Sequence, residues 1–298
     1  MGHAGDSQPP KIVGLPHDHT EGGLELMTQN LNLCGLVNPD DYLDSEWLSI
    51  HKKLESYSSA KHVFFHTNGK NVYRKGWEWT RTIFGLKRLG MINGNHSALG
   101  VGCGRECVIF YLADNLNSVV ATDLYGNETW TSNFGKEADP VMLTNPEQCC
   151  PRNYRRDRLQ VLNMNGTELK FESGIFDICW SLSSIEHFGG HDMARKAMRE
   201  MGRVTRTGGI VVIATEYLLL EEYSHPEYFR KKEILDVIVN SCDELELVAP
   251  IDFSLPPLEY LIDQICFKSD GVHRVRRHVV LNDGNCQWTS IIMFFRKK

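Results

Sequence analysis

The chain has 298 residues, of which 42% are hydrophobic and 23% are charged, and its formal net charge is −6. This composition is typical of a soluble globular protein, and the negative balance disfavours nucleic acid or an anionic membrane as a partner. No apolar run approaches the length of a membrane span, and the start MGHAGDSQPP lacks the hydrophobic centre of a signal peptide. We therefore expect a cytoplasmic protein.

The nine cysteines are scattered and include the adjacent pair Cys149 and Cys150, without the C-x-x-C spacing of zinc sites. They predict reduced thiols rather than a disulfide framework. The HDH run at residues 17 to 19 offers two imidazoles and one acid but lacks the third ligand of a typical metal site. We expect no metal.

Helical patterns dominate the first part of the chain. The opening dozen residues, rich in Gly, Ser and Pro, predict a mobile start. Apolar spacing in DYLDSEWLSIHKKLESY predicts a first helix, and VYRKGWEWTRTIFGLKRLGMI predicts a second one that ends at Gly90. We expect residues 1–72 to form a helical N-terminal segment or lid, and residues 73–298 to form the main domain.

Strand and helix patterns alternate from residue 98 onward. The runs SALGVG, SVVATDL, RLQVLNM, FDICWSLS and GGIVVIATEY predict strands of a parallel sheet with helices on both faces. At the end, RRHVVLND and QWTSIIMFFRKK flank DGN, so the terminal strand should run antiparallel to its neighbour. Residues 218–278 predict an inserted segment between the last of these strands and the terminal pair.

The run ALGVGCGREC predicts a ligand-binding turn. A strand leads into glycines at 100, 102 and 104, and a helix should begin near Glu106, which places bare backbone and a helix N-terminus beside a ligand. Asp123 ends the next strand, where a carboxylate can accept both hydroxyl protons of an adenosine ribose. These features predict an adenosine-containing cofactor, either a dinucleotide or S-adenosylmethionine.

The motifs resemble those of the class I S-adenosylmethionine-dependent methyltransferases in their small-molecule, type 11 form. Gly102, Cys103 and Gly104 match the centre of the family's G-x-G-x-G turn, and Asp123 matches its ribose acid. NMNGTELKFESGIFDICWS, SSIEHFGG and RVTRTGGIVVI resemble later family segments, so the resemblance covers about residues 73 to 217. It implies an α/β fold with a Rossmann-like, mostly parallel sheet of seven strands, an antiparallel terminal strand, a helical lid, and S-adenosylmethionine as methyl donor.

Three positions depart from the family pattern. The acid before the glycines falls on Gly100, the third glycine falls on Glu106, and the adenine-contacting acid falls on Asn165. Glu106 or a residue outside the turn could compensate for the first, and the Asn165 side-chain oxygen can still accept from the adenine amine.

The resemblance also implies a set of cofactor-binding positions. Arg81 is our candidate for the methionine carboxylate, because its helix precedes the first strand and a guanidinium offers two donors. The full set is Arg81, Gly100, Gly102, Cys103, Gly104, Asp123, Leu124, Asn165, Gly166 and Ser181.

The candidate catalytic residues lie in SSIEHFGG, after the fourth predicted strand. If the acceptor is a hydroxyl or an amine, a nearby base helps by removing its proton. His187 is the preferred base because an imidazole titrates near neutral pH, and Glu186 is the second candidate. Glu186 could instead cap the following helix, and His191 with Asp192 is a weaker alternative.

The leading prediction is a methyltransferase acting on an oxygen or nitrogen of a small molecule, metabolite, glycan or peptide, with S-adenosylhomocysteine as the product. Two alternatives stay open. An NAD(P)-dependent oxidoreductase could use the same glycine turn and acid, although an antiparallel terminal strand suits it less. A non-catalytic S-adenosylmethionine-binding protein is suggested by Gly100 and Asn165 in place of family acids.

Overall fold

The computed structural model describes residues 32–59, 65, 72–126, 138–262, 265–266 and 278–298. The predicted mobile start, the histidines at 17 and 19 and much of the predicted lid lie outside the described residues. Among the described helices, none combines the length and the apolar character that crossing a membrane requires.

The described residues form helices and strands in alternation over most of their length. The helices are α1 (Ser45–Glu55), α2 (Arg74–Arg88), α3 (Cys107–Asn115), α4 (Val141–Thr144), α5 (His191–Val204), α6 (Lys231–Glu233) and α7 (Leu258–Ile262). The strands are β1 (Gly35–Leu36), β2 (Ser97–Val101), β3 (Ser118–Asp123), β4 (Leu159–Asn163), β5 (Phe176–Leu182), β6 (Thr205–Leu218), β7 (Leu245–Leu247), β8 (Ile265–Cys266), β9 (Leu281–Asn282) and β10 (Gln287–Lys297).

The sheet has the predicted mixed α/β organisation. Its order is β4-β3-β2-β5-β6-β10, in which the first five strands are parallel and β10 runs antiparallel to β6. Beyond β10, the short strands β9, β1 and β7 pair one after another along its outer edge. The Rossmann-like sheet and the antiparallel terminal strand are therefore confirmed, and the described residues add β1, β8 and β9 to the seven expected strands.

Two strands of this sheet, β7 and β8, come from the segment predicted as an insertion. β7, at Leu245–Leu247, pairs with β10 through Leu247 and Phe295. It is preceded by α6, which continues into a wider helical turn at Ile234–Ile238. Residues 231–247 therefore contribute a helix and a strand to the main α/β fold.

Both faces of β10 are buried, because helices cover the two sides of the sheet. Ile291, Met293 and Phe295 belong to the cluster that includes the apolar side of α5. Phe294 points the other way, toward α2, where a Cβ at Gly85 would lie 2.3 Å from its ring. This alternation explains why the run SIIMFF is apolar at every position after its serine.

Candidate active site

The glycine turn joins β2 to α3 at the carboxyl edge of the sheet. Gly102 has φ of 63° and Gly104 has φ of 48°, a left-handed conformation that glycine adopts without steric cost. Between them Cys103 points inward, where its thiol donates to the Thr122 carbonyl at 3.5 Å. Glu106 occupies the N-cap position of α3, without a capping hydrogen bond from its side chain. The turn therefore has the predicted form, with a helix N-terminus directly after the glycines.

Asp123 is held against this turn by backbone amides. The Gly104 amide donates to Asp123 Oδ2 at 2.8 Å, and the Leu124 amide donates to Oδ1 at 2.7 Å. A carboxylate has about four acceptor positions, so a fixed carboxylate of this kind can also receive hydroxyl donors. The geometry fits the predicted binding of a ribose at the end of β3.

A cleft of about 120 Å³ lies beside the turn and the ends of β3, β4 and β5. Five predicted cofactor positions and the predicted base His187 share this cleft, together with three residues outside the predicted set. The lining residues are Gly102, Asp123, Leu124, Met164, Asn165, Gly166, Ser184, His187 and Phe188.

The ring of Phe188 lies where side chains at two of the glycines would have to fit. A Cβ at Gly102 would lie 2.9 Å from the Phe188 ring and 2.9 Å from Ser184 Cβ, and a Cβ at Gly166 would lie 2.7 Å from the same ring. Ser184 also donates to the Gly102 carbonyl at 2.5 Å. Phe188 and Ser184 were not predicted as site residues, although their neighbours in SSIEHFGG were, because their contacts join segments far apart in the chain.

Arg81 lies elsewhere. Its guanidinium donates to Asp41 Oδ1 at 3.1 Å and lines a separate cleft with Trp77 and Pro256. The structure therefore does not bring Arg81 to the glycine turn, where it was predicted to bind a methionine carboxylate. Its guanidinium is paired with the Asp41 carboxylate instead. Lys75 of α2 reaches the end of β5, where its ammonium donates to the Leu182 carbonyl at 3.2 Å.

Three other predicted cofactor positions are in the core. Gly100 is packed against Trp180, and Cys103 and Ser181 are completely buried. Burial raises the pKa of the Cys103 thiol well above its usual value, and the carboxylates of Glu106 and Asp123 raise it further. None of these three residues lines the cleft.

Asn165 lines the cleft, but its oxygen is engaged in a local turn. Both the amide and the hydroxyl of Thr167 donate to Asn165 Oδ1, each at 2.9 Å. The predicted hydrogen bond from an adenine amine to this oxygen would therefore compete with the turn.

His187 is held between two carboxylates. Its Nδ1 lies 3.1 Å from Glu227 Oε2, and its Nε2 lies 4.0 Å from Glu186 Oε1. Burial alone would lower the pKa of His187, but the hydrogen bond with Glu227 and the charge of Glu186 outweigh it and raise the pKa above 6.5. Glu227 was not predicted, since it lies on the loop after β6.

Glu186 stands behind His187 and not in the cleft. It is completely buried, and Thr215 donates to its Oε2 at 2.9 Å. Burial raises the pKa of this carboxyl, although the neighbouring His187 opposes the rise. Of the two predicted catalytic residues, His187 is therefore the one placed to meet a ligand. The alternative His191 bonds to the Tyr228 carbonyl at 3.2 Å and stacks on Phe229.

Comparisons with known proteins agree with this geometry. A family model described as a methyltransferase domain matches residues 99–213. A search of curated proteins finds no match.

Several solved structures are similar in fold. A TehB-like SAM-dependent methyltransferase from Corynebacterium glutamicum is 18% identical, with 72% of this chain and 88% of that chain covered and a TM-score of 0.40. The YcgJ protein from Bacillus subtilis is 15% identical, with 72% and 97% covered and a TM-score of 0.43. The MccD protein is 14% identical, with 73% and 96% covered and a TM-score of 0.47. Likeness at these values does not indicate an activity.

The residues at the cleft fit an adenosine-containing methyl donor. A left-handed glycine turn, a strand-end carboxylate fixed by amides and a helix N-terminus meet at one place. The match over residues 99–213 confirms the resemblance found in the motifs: this part of the chain is similar to the methyltransferase domain family.

Proposed function

We propose that this protein is an enzyme that transfers a methyl group from S-adenosylmethionine to an oxygen or nitrogen of a small molecule or of a terminal group on a metabolite, glycan or peptide. The observation that carries the proposal is that Asp123, the glycine turn and His187 line one cleft. A nucleoside held by the first two would present its reactive end near the third.

Each residue has a distinct task in this proposal. Asp123 would bind the ribose hydroxyls, while Leu124, Asn165 and Phe188 would enclose the adenine. The bound donor supplies the activated methyl group, so the protein mainly has to align the acceptor and exclude water.

His187 would take the proton that an O or N acceptor loses. It must be neutral to accept that proton, and its pKa is raised by Glu227 and Glu186 despite burial. Activity should therefore increase as the pH rises through the pKa of His187.

We further propose that residues 1–72 and parts of residues 218–278 shape the acceptor side, as the resemblance implies. Tyr217 and Phe229 are buried at the start of the second segment. Cys149 and Cys150 are adjacent free thiols, which suits a reducing compartment such as the cytoplasm.

Binding calorimetry tests the proposal before any acceptor is known. S-adenosylmethionine, S-adenosylhomocysteine and NADH are each titrated into the wild-type protein, Asp123→Ala and the control Asp192→Ala, whose carboxylate is exposed on α5. We expect both sulfur nucleosides to bind wild type and the control, and Asp123→Ala to lose at least about tenfold in affinity, the usual effect of removing a charged hydrogen-bond acceptor.

Other outcomes would point elsewhere. Binding of NADH alone would replace the proposal by the oxidoreductase alternative. Binding of the sulfur nucleosides without turnover on any acceptor, in a protein whose His187→Ala variant binds equally well, would favour the non-catalytic alternative.

A further inference from the structure

Ser183 has an unusual backbone conformation where β5 meets the cleft. Its φ is 50°, and within the part of the chain that the structure describes it is the one residue other than glycine with a positive φ. Its amide still donates to the Ala214 carbonyl of β6 at 2.8 Å, so the strand pairing extends up to this residue. A side chain makes the left-handed conformation unfavourable, so other contacts must offset its cost.

The residues that follow Ser183 form a wall of the cleft. Ser184, His187 and Phe188 line it, and a tight helical turn spans Ile185–His187. The direction of this turn is set where the chain leaves β5, so an ordinary φ at Ser183 would send the turn along another path. The left-handed conformation is therefore what brings His187 and Phe188 to the cleft.

The Ser183 side chain is held by α2. Its hydroxyl donates to Glu78 Oε2 at 2.9 Å, and Glu78 is completely buried. Lys75 Nζ lies 3.3 Å from the same oxygen and also donates to the Leu182 carbonyl at 3.2 Å. The start of α2 thus contacts both residues of the peptide unit at which the chain turns.

Glu78 is held as an ionised group, which suits it to this contact. Its Oε1 accepts from Arg74 Nη1 at 3.2 Å and from the Ser290 hydroxyl of β10. Burial would raise the pKa of Glu78, but the cations Lys75 and Arg74 and the two serine hydroxyls outweigh burial and lower it. A hydrogen bond to an ionised acceptor is about twice as strong as one between neutral groups.

We propose that Glu78 is a positioning residue of the cleft, whose hydrogen bond holds Ser183 in the left-handed conformation that brings His187 and Phe188 to the ligand. The inference rests on the proposed function. Without the hydrogen bond, a side chain at position 183 favours an ordinary φ and the turn leaves the cleft. The apparent affinity for a ligand then falls with the fraction of molecules in which the turn is still in place.

Alanine and glycine at position 183 separate the hydrogen bond from the backbone conformation. Both substitutions remove the hydroxyl, but glycine adopts a left-handed φ without steric cost, whereas alanine does not. The matched controls are Ser173→Ala and Ser173→Gly, at an exposed serine whose φ is not positive. Circular dichroism and thermal unfolding verify that each variant is folded.

The first readout needs no ligand. The pKa of His187, measured by NMR titration, reports whether the turn is in place. Burial lowers this pKa, whereas the carboxylates of Glu227, Glu186 and Glu216 outweigh burial and raise it. We expect Ser183→Ala to shift the pKa of His187 toward the ordinary value of about 6.5, and Ser183→Gly to keep it raised, as both controls should.

The second readout is the affinity for S-adenosylhomocysteine, measured by calorimetry at pH 7.5. Ser183→Ala should bind about fivefold to thirtyfold more weakly than wild type, and Ser183→Gly within about twofold of it, since one left-handed residue shifts the population by that factor. Glu78→Gln should weaken binding when position 183 is serine but not in the double variant with Ser183→Gly. Should Glu78→Gln not fold, the two variants at position 183 still decide.

The inference would be wrong if alanine and glycine at position 183 changed the His187 titration equally, or if neither changed it. A failure of the proposed function has a different signature. Wild type would then bind no S-adenosylhomocysteine, while the His187 titration would still separate Ser183→Ala from Ser183→Gly.

Discussion

Two neighbouring carboxylates, Glu227 and Glu186, raise the pKa of His187. Glu186 is adjacent in sequence, whereas Glu227 comes from the loop after β6 and contacts Nδ1 at 3.1 Å. A carboxylate on each side of an imidazole favours the imidazolium. The protonation of His187 therefore depends on both of these carboxylates.

We predict that Glu227→Gln lowers the pKa of His187 toward or below 6.5, since the main opposing effect, burial, remains. The imidazole protons of His187, assigned with a His187→Gln variant, report this in an NMR titration. Glu222→Gln, an exposed neighbour on the same loop, should leave the titration unchanged.

The same contact has a stability signature with a definite sign. A raised histidine pKa stabilises the folded state below the unfolded pKa, near 6.5, and the benefit is lost as pH rises through the folded pKa. The stability difference between wild type and Glu227→Gln, about 1 kcal/mol or less for a partly exposed pair, should be largest between about pH 5 and 6.5, where the imidazole is protonated and the carboxylate is still ionised, and it should fade above neutrality. A difference that grew above neutrality in urea unfolding would contradict this assignment.

At the scale of elements, Arg74 connects the start of α2 to the sheet through an ion pair and a hydrogen bond. Its guanidinium lies 2.7 Å from Glu216 in β6, 3.2 Å from Glu78 in α2 and 2.9 Å from the Ser290 hydroxyl in β10. Burial raises the pKa of Glu216 to about 7; Arg74 opposes the rise, and the carboxylates of Glu186 and Glu78 add to it. Arg74 therefore compensates Glu216 and, together with Lys75 at 3.3 Å from Glu78, the carboxylate of Glu78.

Arg74→Met should destabilise the protein by about 3 to 5 kcal/mol at pH 7.5, because it removes the cation that lies 2.7 Å from the buried carboxylate of Glu216. Without Arg74 this carboxyl takes up a proton more readily in the folded state, so the deficit should grow as pH rises from about 5 to 8. Urea unfolding at several pH values measures it.

Arg88→Met is the matched control, on the same helix but with an exposed partner, Glu46. We expect it to cost less than about 1 kcal/mol at every pH. Equal losses for the two arginines would show that Arg74 contributes no more than a surface pair does.

At the scale of the whole molecule, periodicity was enough to predict the sheet and the terminal strand, because buried strands of five or more apolar residues have a clear pattern. The three-residue strand β7 carried no such pattern within the predicted insertion. The pairing of Arg81 with Asp41 and of His187 with Glu227 escaped prediction for another reason: the partners are 40 residues apart in the chain.

Motifs located the glycine turn and Asp123 correctly because their geometry is set within a few residues of β2 and β3. The reason for a glycine at position 100 could not be predicted in this way, because Trp180 from another strand fills the space where a side chain at that position would lie. The sequence was enough to predict a turn and a strand-end acid whose geometry is local, whereas it did not predict how side chains of neighbouring strands pack against each other.

The position of β10 predicts where the molecule is hardest to open. β10 pairs with β6 over nine residues, Ile210–Leu218 against Trp288–Arg296, and with β9, β1 and β7 on its other edge. Its amides and those of β6 should exchange with deuterium most slowly, since core strands open only with the whole fold. Mass spectrometry should find peptides from α7, where Leu258 and Ile262 are exposed, exchanging much earlier.

The place of β10 in the chain has a consequence for synthesis. Every other strand of the sheet precedes it, so a nascent chain on the ribosome carries β6 with one edge open until residues 287–297 have emerged. An open apolar edge is a template for pairing with another chain, and exposed edges are where incomplete folds aggregate. Premature stops that remove only β10 should therefore yield insoluble chains that depend on chaperones, even though the cleft residues are all present.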